Sequence, residues 1–193
     1  MSIRELIPTA AAEVIDVVEG ADPTDLTRPT PCTDFDLRRL VNHFSGTTAA
    51  LARVGAGLPL DPDDPYGSKQ DPSRGDWQQE LVGRLAALGR SWESEQAWEG
   101  TVDMGGSAMP APMIGEMALA EMLLHGWDLA RATGQQLVVS DEIGRELRRS
   151  IEETAELGRA MGAYGDEVSV PAQSTEFERA LAASGRDPQW QPR

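Results

Sequence analysis

The sequence predicts an all-α fold, most economically a four-helix bundle with additional short helices packed around it. Three observations carry that prediction. Apolar residues recur at three- and four-residue spacing in five separate segments. Cap-forming residues precede several of those segments, and Gly55 and Gly134 stand where two of them end. Only residues 98–109 are ambiguous, with room for a short hairpin.

The first helix opens on Ser2-Ile3-Arg4-Glu5, a capping box in form, and Leu6, Ile7, Ala11, Val14, Ile15 and Val18 carry it to about Val18. Residues 21–33, rich in Pro, Thr and Asp, form a loop. Thr33, with Asp36 three residues on, is the expected cap of a second helix through Leu37, Leu40, Val41, Phe44, Thr48 and Leu51 that ends near Gly55. Residues 58–75 hold four prolines and no periodicity, which predicts a long excursion of the kind that often borders a site. Trp77, Leu81, Leu85, Leu88 and Trp92 trace a third helix. Pro112 suits the first turn of a fourth, which runs through Arg131 and closes on Gly134. Ser140 caps a fifth, with Ile143, Leu147, Ile151, Thr154 and Met161 on one stripe, and a short helix fits residues 175–183.

At 193 residues the chain suits one domain, 1–193, large enough to bury its own core. It carries 32 acidic against 17 basic residues, a net charge of −15 that repels phosphate backbones and anionic lipid surfaces, so no nucleic-acid or membrane partner is expected. Residues 104–124, the most apolar long segment, are broken by Gly105, Gly106, Pro110, Pro112, Glu116 and Glu121, which a membrane span would not tolerate. Cys32 is the single cysteine, so no intrachain disulfide forms, and with no basic leader followed by an apolar run a cytoplasmic location is expected.

The two histidines, His43 and His125, both fall inside predicted helices. On the fourth helix Glu121, His125 and Asp128, at i, i+4 and i+7, fall within roughly 60° of one another. That helix is apolar nearly all round, so its polar strip is expected to be buried. A buried carboxylate and imidazole need a partner. A divalent metal held by Glu121, His125 and His43 from the facing helix satisfies both, and a His₂Glu set leaves the open position of a catalytic zinc. From spacing alone, a Glu121–His125 ion pair or a satisfied core histidine is favoured over a metal. The zinc-peptidase motif His-Glu-x-x-His is absent, because the glutamate precedes the histidine by four residues.

Pro29-Thr30-Pro31-Cys32-Thr33, Leu40-Val41-Asn42-His43 and the string from Glu121 to Gly134, with His-Gly-Trp-Asp-Leu-Ala-Arg-Ala-Thr-Gly at its heart, resemble the metal-binding helical domain of the mycothiol-dependent maleylpyruvate isomerase family. Gly185-Arg186-Asp187-Pro188-Gln189-Trp190 resembles the ending of its short, single-domain branch. The resemblance implies a DinB-like four-helix bundle that binds a divalent metal, usually zinc, through His43, Glu121 and His125. It also implies that a metal-activated thiol such as mycothiol adds to a double bond, permits rotation and leaves. The isomerase carries a C-terminal domain for which this chain has no room, so a thiol S-transferase or isomerase acting on another small electrophile is expected. The alternative is a metal- or small-molecule-binding protein without catalysis. Members of this bundle class often form homodimers.

Other residues have narrower roles. Asp128 could orient a ligand imidazole or pair with Arg131 at i+3. Arg131 is a candidate for binding the thiol or a substrate anion. Trp127 is expected to pack in the core. Cys32 could be nucleophilic, yet no basic neighbour in sequence activates it, which favours a structural role. Met104, Met109, Met113, Met117 and Met122 fall within nineteen residues and read as flexible core lining in preference to a soft-metal site. Asp61, Asp63 and Asp64 fail the EF-hand pattern and read as a solvated surface.

Overall fold

Helices start where the sequence supplies an acceptor for otherwise unbonded N–H groups. The computed structural model describes residues 2–22 and 24–192. It contains α1 (Ile3–Gly20), α2 (Leu37–Gly55), α3 (Trp77–Ser91), α4 (Ala111–Ala132), α5 (Asp141–Ala160) and α6 (Glu176–Ala183). Glu5 accepts from the Ser2 backbone N–H at 2.7 Å at the start of α1. Asp36 accepts from Arg39 N–H at 2.8 Å, and Ser140 from Ile143 N–H at 3.3 Å. Thr175 and Glu178 form a complete capping box on α6 (3.2 and 2.8 Å).

Asp36, and not Thr33, therefore caps α2. The chain first turns at residues 31–34, where the Phe35 N–H donates to the Cys32 carbonyl at 2.9 Å, and the helix begins only after Asp36 has bridged back to Pro29 and the Leu37 N–H has bonded the Arg28 carbonyl at 2.9 Å. The first helix runs two residues past Val18, to Gly20. Met161 follows α5 as its C-cap and is 75% exposed, so it does not extend the buried stripe of that helix.

Four helices form the bundle. α1 and α2 each pack against both α3 and α4, while α5 lies against α4 and α6 against α5. Ile7, Val14, Leu40, Phe44, Leu81, Leu85, Leu119 and Leu123 meet in its buried core. Gly126 permits the close approach of α4 to α1: a Cβ there would stand 2.7 and 2.9 Å from the two Val14 methyls. Trp127 is buried in the same core.

The ambiguous stretch is a hairpin, β1 (Thr101–Asp103) paired antiparallel with β2 (Ala108–Pro110), Val102 opposite Met109. Its turn uses Gly105 and Gly106, both at positive φ (78° and 101°), a pairing that glycine adopts without strain. The excursion at 58–75 is tied to α2. Asn42 donates to Asp71 (2.9 Å) and accepts from Ser73 N–H (3.0 Å), and at Gly46 the backbone passes directly beneath the Tyr66 carbonyl. Tyr66 is thereby set beside the hairpin, where its hydroxyl donates to the Met104 carbonyl at 3.0 Å. Asp61, Asp63 and Asp64 are exposed or half-buried at the far side of this loop. No helix among the described residues is long and apolar enough to cross a membrane.

Candidate metal centre

α2 and α4 are neighbours in the bundle, and the histidine-bearing turn of each faces the other. The Nε2 atoms of His43 and His125 lie 3.6 and 3.5 Å from Glu121 Oε2. One donor atom from each of the three residues lies within 4.8 Å of the other two, and they form the single such His/Cys/Asp/Glu group among the described residues. The two imidazoles meet edge to face at 4.9 Å between centroids, and Phe35 flanks His43 at 5.1 Å.

These separations are too long for good hydrogen bonds. They match a shared ion, since two donors each about 2.1 Å from a tetrahedral zinc stand about 3.4 Å apart. Glu121 Oε2 is buried and has no hydrogen-bond partner, the state expected of an acceptor whose natural partner is a cation. Burial pushes the Glu121 carboxyl up, but the two imidazoles and, further away, Arg186 outweigh it and bring its pKa below the usual value. The group is therefore a carboxylate at neutral pH. The donor set fits a divalent metal.

His125 is oriented from behind. Its Nδ1 lies 3.0 Å from Asp128 Oδ2, and an N–H donated there leaves the Nε2 lone pair facing Glu121 and His43. Asp128 is fully buried. The i+3 pairing with Arg131 does not form; instead Arg186, from the segment after α6, grips Asp128 with Nε to Oδ1 at 3.0 Å and Nη2 to Oδ2 at 2.8 Å. Burial pushes the Asp128 carboxyl up, and the Arg186 guanidinium and the His125 bond more than offset it, leaving the pKa lowered.

Arg131 itself points to the other end of the chain, with Nε donating to the Trp190 carbonyl at 3.0 Å, and it lines neither cavity at the cluster. The cationic group beside the site is thus Arg186 and not Arg131. Nothing in the local sequence points to Arg186, because no spacing signals a bond that spans 58 residues. Cys32, half-buried and free, sits close enough to Asp128 and Arg186 to feel both, and it is outside the His/Glu group. Burial raises its thiol pKa, and Asp128 adds to the rise against the opposing pull of Arg186.

Glu121 and His125 form part of the wall of a cavity of about 260 Å³ between α4, α5 and the hairpin. His43 and Glu121 also face a wider, open groove of about 690 Å³ on the α2 side, so the cluster lies where the two spaces meet. Met104, Met109, Met113 and Met117 line the cavity, whereas Met122 alone of that set lies fully buried in the core.

An α-helical bundle of this order, with a His/Glu/His cluster between its second and fourth helices, is of the DinB-like class. The family model described as the mycothiol maleylpyruvate isomerase N-terminal domain matches residues 7–130, and the chain belongs to that family. A crystal structure of the mycothiol-dependent maleylpyruvate isomerase superposes with a TM-score of 0.62 over 98% of this chain and 91% of that chain, at 17% sequence identity. That match leaves less than a tenth of the solved chain uncovered, so the shortfall of a whole C-terminal domain expected from the sequence is not found against this structure. No curated protein matches the chain.

Proposed function

We propose that this chain is a single-domain, metal-dependent enzyme that uses a low-molecular-weight thiol of the mycothiol type on a small electrophile, as an isomerase or an S-transferase. His43, Glu121 and His125 hold the metal, with zinc the ion that best suits two imidazoles and a carboxylate. The observation that carries this reading is the buried, unpartnered Glu121 Oε2 set between two imidazole nitrogens at a cavity wall. When bound, such a cation makes a coordinated thiol a thiolate at neutral pH.

The protein's own groups do the rest. Asp128 fixes the tautomer and tilt of His125, and Arg186 fixes Asp128. The largely apolar cavity offers a thiolate few hydrogen-bond donors, which leaves it poorly solvated and hence reactive. The sulfur adds to an electrophilic carbon. Loss of the same thiol after bond rotation completes an isomerisation, and retention of the new C–S bond completes an S-transfer. A reducing, cytoplasmic setting agrees with the free Cys32 and with a thiol cosubstrate. Homodimerisation remains part of the proposal as a property of the bundle class.

Elemental analysis of gently purified protein, followed by mycothiol-dependent turnover assays, tests the reading. The native chain is expected to retain close to one zinc through dialysis, and His43→Ala is expected to lose it. A His43→Ala protein that keeps stoichiometric zinc refutes the ligand set. Retained zinc with no thiol-dependent turnover across a panel of electrophiles makes the chain a metal-binding module instead.

A further inference from the structure

The cavity next to the cluster has a lining whose chemistry is one-sided. Met104, Met109, Met113, Met117 and Met161 supply five thioethers, soft and flexible groups that mould to apolar ligands. Three of its polar side chains are already engaged. The Tyr66 hydroxyl donates to the Met104 carbonyl (3.0 Å), the Thr154 hydroxyl to the Ser150 carbonyl (2.8 Å), and the Glu116 carboxylate is paired with Arg149 (2.8 Å).

The lining contains one arginine and no lysine. That arginine, Arg186, has both of its short bonds committed to the fully buried Asp128. Two carboxylates, Glu116 and Glu121, border the same space. Glu121 and His125 are a small part of the lining, so whatever they hold, the remainder stays thioether, aliphatic and aromatic. A dicarboxylate entering this cavity would shed its hydration and find no uncommitted cationic side chain to replace it. At about 260 Å³ the space falls just below the common range of small-molecule sites, roughly 300–1,000 Å³.

We propose that this cavity selects a small, uncharged, apolar electrophile, such as an α,β-unsaturated ester, over a dicarboxylate. The proposal rests on the thiol-transfer reading given above. In the reaction the thiol sulfur forms a bond to the β-carbon, the C=C π pair moves to the α-carbon, and that carbon takes up the proton the thiol released.

Calorimetric titration with diethyl succinate and with succinate tests the selectivity without any reaction, because the pair shares a carbon skeleton, is inert to thiols and differs in charge. The diester is expected to bind roughly tenfold more tightly to zinc-stripped protein, and to zinc-loaded protein whose open metal position is filled by a saturating low-molecular-weight thiol. Equal or tighter binding of succinate overturns the proposal. Met161→Lys, at an exposed position of the lining where folding is not at risk, is expected to raise succinate affinity severalfold. Unchanged succinate affinity in a folded Met161→Lys protein overturns the assignment to this cavity. Thiol consumption with diethyl maleate and maleate then separates the two layers of the argument. Preferential diester binding with no consumption sinks the thiol-transfer reading and leaves the selectivity standing. Faster consumption with maleate sinks the selectivity and leaves the thiol-transfer reading standing.

Discussion

Replacing Arg186 with methionine keeps most of the apolar stem and removes the guanidinium that holds Asp128. The Asp128 carboxylate is fully buried, so the change strands a negative charge inside the protein. Breaking one side of a buried pair costs about 3–5 kcal/mol. His125 keeps its 3.0 Å contact to Asp128 and can neutralise it in part, which places the expected loss near the lower end, about 3 kcal/mol. For a chain of this size that corresponds to a fall in Tm of about 6–12 °C.

The sign of the pH dependence follows from the carboxyl. In the native chain the Asp128 pKa is lowered, so its contribution is complete above the unfolded value of about 3.9 and drains away as pH falls through the folded value. In Arg186→Met, burial without the guanidinium raises the pKa, and protonation then favours the folded state. The stability gap between the two proteins is expected to narrow from pH 8 to pH 5. Thermal unfolding followed by circular dichroism at both pH values measures it. A variant within about 1 kcal/mol of the native chain, or a gap that widens on acidification, refutes this account of the Asp128 network.

Asp128→Asn keeps the shape of the side chain and removes its charge, and it is expected to weaken zinc affinity about 10–100-fold in a competition titration with a chromophoric chelator. Unaltered affinity would show that His125 needs no support from behind. Gly126→Ala is expected to destabilise the fold by about 1–3 kcal/mol in denaturant unfolding, because the new methyl meets both Val14 methyls. Cys32, with its thiol pKa raised by burial, is expected to react with iodoacetamide more slowly at pH 8 than a cysteine peptide, with the midpoint of its rate profile above about 8.5. A faster rate or a lower midpoint contradicts that environment.

What could be read from the sequence follows the range of each interaction. The helices were legible because three- and four-residue periodicity and caps such as Ser2 and Ser140 are local signals. The cap at Asp36 was displaced from Thr33 by a strand-like bridge to Pro29 that periodicity does not report. His43, Glu121 and His125 stood out as titratable groups inside predicted helices, and the fold brings their donor atoms together. Asp128 was legible as a neighbour of His125, but its cationic partner was not. The spacing offered Arg131, three residues away, and tertiary packing supplied Arg186 from a distant segment. The methionines pointed to an apolar interior, while their concentration around a cavity emerged only from the hairpin and the loop folding over α4.

The grip of Arg186 on Asp128 also orders events during synthesis. A chain emerging from the ribosome exposes α4 with His125 and Asp128 well before residue 186, and an uncompensated carboxylate resists burial until its counter-charge arrives. Any metal captured by the nascent bundle would therefore meet a loosely held His125. Final tightening of the centre waits on the strand of chain behind α6, which makes that late segment the latch on a pocket assembled much earlier.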